Sequence, residues 1–206
     1  MDNLTGLEVR DLSATVFLAR LHDALTLYIT AMGYSPDVIS YRAQPWRDDT
    51  QRPGWQAVGA FTPGRSANGG DELIGFAYAY TGSPNLPWHQ HVARAAHRFG
   101  QGGRLATGML DDYVELTEIH VRPGLQGLGV GETLLRRLMS GRTESHVLLS
   151  TPEVALEANR AWRLYRKLGF VDVIRQMRFP GDARPFGILG RSLPLERVAE
   201  PGAPIS

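Results

Sequence analysis

The segment VELTEIHV, residues 114–121, sets two glutamates, Glu115 and Glu118, inside an otherwise apolar strand pattern. Burying a carboxylate between residues such as Leu116 and Ile119 costs several kcal/mol unless it is paired or protonated. Carboxylates in that position are candidates for taking a proton from a nucleophile. In a regular strand, residues three apart point to opposite faces, so a shared site would receive one of the two, and spacing does not say which. His120 is an outside candidate beside them. Tyr165 lies on the apolar stripe Ala158, Ala161, Trp162, Tyr165, Leu168 of a helical segment, with its hydroxyl expected at the rim of the core.

A second kind of chemistry follows the strand. In VRPGLQGLGVGETLLRRLM, residues 121–139, Gly127, Gly129 and Gly131 stand at every second position where a strand ends and a helix begins. Main-chain N–H groups at a helix start lack internal partners and attract phosphate, and glycine lets a ligand come close to the backbone. A dinucleotide fingerprint beginning at Gly129 needs glycine at position 134, which is Leu134. A triphosphate loop needs Gly-Lys-Ser or Gly-Lys-Thr, and no lysine is nearby. Close packing of helix on sheet is the alternative use for these glycines.

The elements that must position these groups read as one mixed α/β domain over 1–206. A short opening strand is expected at 5–10, then a helix through VFLARLHDALTLYITAM capped by Ser13 or Thr15, and a shorter helix through Val38 to Tyr41. QPWRDDTQRPG reads as loop, with Asp48 and Asp49 placed to attract a cationic amine. Strands are expected at 55–61 and 72–80, joined by the turn-rich TPGRSANGG. Residues 81–112 form an unusually long connection between the third and fourth strands, with about three helical turns in HQHVARAAHRF. Strand 114–121 is closed by Pro123, and the helix after the glycines buries Val130, Leu134, Leu135 and Leu138. Strand 146–150, a helix over 154–168 ended by Gly169, and two final strands in DVIRQMRF and PFGILGRSL complete the chain.

Composition excludes several classes. The 206 residues are 43% hydrophobic and 21% charged, with net charge +1, which lacks the basic footprint of a nucleic-acid binder. Lys167 is the only lysine. Cysteine is absent, which removes disulfides, thiolate nucleophiles and cysteine-ligated zinc. No apolar run approaches membrane-spanning length, so a cytoplasmic protein with no membrane partner is expected. His89 and His91 do not share a helical face and no His-Glu-x-x-His occurs, so no metal site is expected.

Two stretches together carry a resemblance. Gln126-Gly127-Leu128-Gly129-Val130-Gly131, following Val121-Arg122-Pro123, and Asn159, Ala161 and LYRKLGF at 164–170 are similar to the two signatures of the GNAT superfamily of acyl-CoA N-acyltransferases. The resemblance implies a single mixed, mostly antiparallel central sheet with helices on both faces. It implies acetyl-CoA as co-substrate, its pyrophosphate held by Gln126, Gly127, Gly129 and Gly131 with main-chain groups of Leu128 and Val130. Ile119, His120 and Val121 would border the pantetheine arm, and Asn159 would contact it from the following helix.

In that family a strand carboxylate deprotonates the amine, a role implied for Glu115 by its offset from Val121, with Glu118 as the other choice. The tyrosine matching Tyr165 gives a proton or hydrogen bond to the coenzyme A sulfur. The oxyanion donor is expected to be a main-chain N–H near Val121, and transfer to be direct, since no cysteine is present to carry an acyl group. The acceptor is then a small-molecule or peptide amine, met by the first helices, the last two strands and residues 81–112. There Trp88, His89, His91, Arg94, His97, Arg98 and Phe99 offer a wall, a lid or a contact between copies, which leaves a homodimer open. A non-catalytic acyl-CoA-binding module, a longer acyl donor and a hydroxyl acceptor are the competing expectations.

Overall fold

The computed structural model describes residues 6–64, 70–98 and 108–195. Its centre is a seven-stranded sheet in the order β1-β2-β3-β4-β5-β7-β6. The strands are β1 (Glu8–Leu12), β2 (Gln56–Thr62), β3 (Glu72–Thr81), β4 (Tyr113–Val121), β5 (His146–Pro152), β6 (Val171–Met177) and β7 (Phe186–Ser192). Every neighbouring pair is antiparallel except β4 with β5. The helices are α1 (Ala14–Ala19), α2 (Leu21–Met32), α3 (Val38–Asp49), α4 (Pro87–Ala96), α5 (Val130–Met139) and α6 (Arg160–Lys167). Among the described residues, no helix is long and apolar enough to cross a membrane.

Both faces of the sheet are covered. On one face α5 and α6 pack through Val130, Leu134, Leu138, Trp162 and Tyr165 against Val58, Ile74, Ala77, Val114 and Val147. On the other, α1–α3 cover the first four strands through Phe17, Leu25, Tyr28 and Trp46 against Phe76, Tyr78 and Tyr80. The far end of that second face is closed by α4, whose Val92 and Ala96 meet Tyr113, Leu148, Ile174 and Ile188. The long connection after β3 therefore contributes a core element. Its part at 99–107, including Phe99, lies outside the described residues.

Three helix expectations need correction. The N-terminal helix is two helices, broken at Arg20 (φ −105°, ψ 12°), with Ser13 Oγ accepting from Val16 N at 3.3 Å as the cap. The stretch QPWRDD is helical although Pro45 removes a donor from the helix interior. Packing outweighs that loss: Trp46 is buried with its ring between 5.4 and 6.4 Å from those of Phe76, Tyr28, Tyr78 and Phe17. The helix expected over 154–168 is a 3₁₀ turn, Ala155–Glu157, followed by α6. The break falls where Asn159 takes extended geometry (φ −107°, ψ 169°) and its Oδ1 accepts from Trp162 N at 2.9 Å, which is how a new helix is capped.

Candidate active site

The sheet opens at its parallel seam. β4 and β5 pair only through Tyr113–His146, Val114–Val147 and Glu115–Leu148. Beyond that point β5 runs on to Pro152 against β7, while β4 runs on to Val121 against β3. The β5-facing edge of β4 after Glu115 is thus main chain without a strand partner among the described residues. Unpaired edge amides are suited to hold an extended chain or a developing oxyanion.

A bulge in β4 settles the parity question. The register slips between Tyr78 and Ala79, so that Leu116 pairs with Ala79 and Glu118 with Tyr78, leaving Thr117 as the extra residue. Glu115, Glu118 and His120 consequently share one face, opposite Tyr80, Tyr78 and Phe76. The expectation that the two glutamates point to opposite faces fails because it assumes an unbulged strand. Ile119 and Val121 turn to the other face, against the α5–α6 core.

The two carboxylates differ in setting. Glu115 is 5% exposed, accepts from the Tyr80 hydroxyl at 3.2 Å, and leaves Oε2 buried without a hydrogen-bond partner. Burial pushes its pKa up to about 8, against the restraining bond from Tyr80. Glu118 is more accessible, its side chain 13% exposed, and Oε2 lies 2.7 Å from His120 Nε2. The His120 ring is set edge-on to Tyr28 at 5.1 Å. Asp49, expected on an exposed loop, is instead an internal group, accepting from Tyr78 Oη at 3.0 Å and from Arg52 Nε at 2.7 Å. Asp48 accepts from Gln44 at 2.7 Å.

The glycines between β4 and α5 do two different jobs. Gly127 and Gly129 both have φ +87°, a left-handed conformation that side chains resist. Gly131 does not; a Cβ there would come 3.2 Å from Leu164 Cδ2, so it lets α5 approach α6. Gly129 caps α5 without any side-chain hydrogen bond, which leaves the first-turn amides, Val130 included, open to an anion. Leu128 is exposed in this turn. Gln126 Nε2 donates to Val121 O at 3.0 Å, tying the loop to the end of β4.

On the other side of the gap, Tyr165 is 5% exposed in the core beneath α6, its ring 5.6 Å from Phe170. Burial first, then the charge of Glu118, raises its pKa, so the hydroxyl keeps its proton. Asn159 uses its carbonyl oxygen to cap α6, which leaves its amide as a donor. Sequence reasoning missed Arg160. Its Nη1 donates to Gln126 O at 2.6 Å, and its Nε lies 3.8 Å from where a Gly127 Cβ would sit. The signal was available: a cation at the first position of a helix opposes the helix dipole, which makes sense beside an anion site.

The segment before α6 is strained and clamped. Leu156 and Glu157 both have φ 53°, and Leu156 is 98% exposed. Glu157 pairs with Arg166 and Arg175, while Glu153 accepts from Arg175 Nε and Gln176 N. Those two arginines lie over the Trp162 ring at 5.0 and 4.7 Å. In the long connection, His89 Nδ1 lies 3.2 Å from Tyr113 Oη and His91 Nδ1 lies 2.7 Å from Pro87 O. No group of three or more metal-ligating side chains gathers among the described residues.

Comparison with known proteins fits this geometry. The Acetyltransferase (GNAT) domain family matches residues 67–172. A GCN5-like protein acetyltransferase of Mycobacterium tuberculosis is 44% identical over 200 residues, covering 90% of this chain and 97% of that protein. The structure of NAA60 from Arabidopsis thaliana in complex with acetyl-CoA aligns with TM-score 0.58 at 17% identity, covering 91% of this chain and 98% of the other. An N-acetyltransferase from Staphylococcus aureus Mu50 aligns with TM-score 0.57 at 16% identity, covering 92% and 99%. The chain belongs to the GNAT acetyltransferase family and is an acyltransferase.

Proposed function

We propose that the protein is an acetyl-CoA-dependent N-acetyltransferase whose acceptor is a protein or peptide amine. What supports this is the unpaired edge of β4 beyond Glu115 with an uncapped helix start beside it, and a Glu118 near enough for its charge to reach the buried Tyr165. The relative from M. tuberculosis is named a protein acetyltransferase, which favours a protein amine over an antibiotic or a metabolite.

The residues present suit coenzyme A. The amides from Leu128 to Gly131, with Arg160 beside them, would hold its phosphates, and the free edge of β4 around Ile119 and Val121 would border the pantetheine arm. When bound, the thioester supplies an electrophilic acyl carbon and a thiolate leaving group. Glu118, directly or through one water, takes a proton from the acceptor ammonium, which frees the nitrogen lone pair to bond to the acyl carbon. A main-chain N–H of the unpaired β4 edge stabilises the carbonyl oxygen as it gains charge. As the carbon–sulfur bond breaks, Tyr165 donates its proton to sulfur, and the second proton, shed by the nitrogen once it is bonded to the acyl carbon, passes through water to restore the Tyr165 hydroxyl.

Glu115 stands behind Glu118 in the same row. With a pKa of about 8 it is mostly protonated at neutral pH, which spares Glu118 a like-charged neighbour. Enclosed under Tyr80, it would meet an ammonium only through water, which is why Glu118 ranks ahead of it as the base.

Calorimetric titration with coenzyme A, followed by thiol release from acetyl-CoA with a panel of lysine peptides and α-amine peptides, tests the proposal. Micromolar binding and peptide-dependent thiol release are expected. Binding without release for any amine would leave an acyl-CoA-binding module instead. Self-acetylation is easily accounted for, because Lys167 is the chain's only lysine.

A further inference from the structure

The face carrying Glu118 is bridged. The turn between β6 and β7 reaches across the β4–β5 opening, where Arg184 Nη2 donates to the hydroxyl of Tyr34, just past the end of α2, at 2.5 Å. Arg184 also lies over the Tyr34 and Phe186 rings at 5.4 and 5.6 Å, and Asp182 holds it at 2.6 Å. An acceptor entering beneath this bridge must be slender, which suits an extended side chain.

A row of groups leads from the rim of that opening to its floor. The Arg42 guanidinium lies 5.6 Å from the centre of the Tyr28 ring; Tyr28 meets His120 edge-on at 5.1 Å; His120 holds Glu118 at 2.7 Å. Arg42 belongs to the α3 stripe that continues through buried Trp46 and Asp49, spaced i, i+4, i+7, so it leaves the helix on its sheet-facing side. It is nevertheless exposed.

Among the described residues no carboxylate lies within ion-pair distance of Arg42. The two acids close enough to feel its charge, Glu118 and Asp182, are already engaged by His120 and Arg184. A guanidinium with no carboxylate partner is a fork shaped to take one. The opening therefore presents an anion at its floor and, at its rim, a cation that engages the Tyr28 hydroxyl but has no carboxylate at ion-pair distance among the described residues.

We propose that Arg42 determines acceptor specificity by receiving an acidic side chain next to the lysine whose ammonium reaches Glu118. The preferred acceptor is thus an acidic-flanked lysine in a protein, an inference that rests on the protein-amine reading above. The charge pattern disfavours a lysine flanked by arginine or lysine, because that peptide sets like charges against Arg42.

The test uses three N-terminally blocked peptides with one lysine flanked by aspartate and glutamate, by alanine, or by arginine. Wild-type enzyme should show a KM about tenfold lower for the acidic peptide than for the alanine peptide, at similar kcat and with the advantage shrinking in high salt. Arg42→Gln should erase the difference through KM alone. Arg42→Glu should favour the arginine-flanked peptide. Thermal melting confirms that these surface variants fold. Equal KM values for the acidic and alanine peptides in wild type, or a preference that survives Arg42→Gln, would overturn the inference while leaving amine acetylation standing. No acetylation of any peptide by enzyme that binds coenzyme A would overturn the protein-amine reading, and this inference with it.

Discussion

Tyr80 donates a hydrogen bond from its hydroxyl to one oxygen of Glu115, whose other oxygen is buried without a partner. The price of ionising that carboxyl is why its pKa rises from 4.5 to about 8. The folded state then holds a proton that the unfolded chain has released. That stabilising contribution is complete below pH 4.5 and is lost as pH rises to about 8. Glu115→Gln keeps the shape and cannot ionise. Its melting temperature relative to wild type should climb between pH 5 and pH 8 by several degrees, at least about 4 °C, and then level off. A gap that stays constant across that range would show that Glu115 does not change ionisation on folding.

Tyr165→Phe removes only a hydroxyl. If that hydroxyl protonates the leaving sulfur, kcat should fall about a hundredfold while the coenzyme A dissociation constant stays within about twofold. Glu118→Gln should lower kcat by a similar factor, again with little change in coenzyme A affinity. Rates that survive both changes would remove these residues from the chemistry without touching the fold.

Arg160 sits beside the glycine turn proposed to hold phosphate, with its charge unmatched by any carboxylate at ion-pair distance among the described residues. Arg160→Ala should weaken coenzyme A binding about tenfold and reduce the salt dependence of that binding, with kcat at saturating donor unchanged. Titrations at two ionic strengths check both parts. Equal affinity at low salt would leave the arginine as a brace for Gln126 alone.

Gly127 and Gly141 are both left-handed, but only Gly127 lies in the turn between β4 and α5. Alanine at either position should cost about 1–2 kcal/mol of stability. Only Gly127→Ala should also raise the coenzyme A dissociation constant. Gly131→Val tests the other use of glycine here: its side chain would meet Leu164, separating α5 from α6 and lowering the melting temperature.

Most strands were legible because their apolar patterns are local. So was the glycine turn before α5, since glycine at alternate positions before an amphipathic helix reports a backbone requirement directly. Three things were hidden for want of long-range information. The fate of QPWRDD depended on an aromatic cluster drawn from α1, α2 and β3, which no window around Pro45 contains. The common facing of Glu115 and Glu118 depended on a one-residue slip at Thr117, and such slips arise from pairing, which composition does not display. Arg42 and Tyr34 drew no notice because the β4 and β6–β7 groups they meet are far away in sequence.

The two halves of the sheet are joined side by side along only three residue pairs. That is a short weld for a molecule whose remaining strand pairs run for the most part over five or more. An occupied cleft would supply hydrogen bonds that the strands themselves lack, so the substrate becomes part of the framework. Amide hydrogens near the end of this weld should exchange fastest in the empty protein and slow most on saturation, coupling rigidity of the whole sheet to the presence of its reactant.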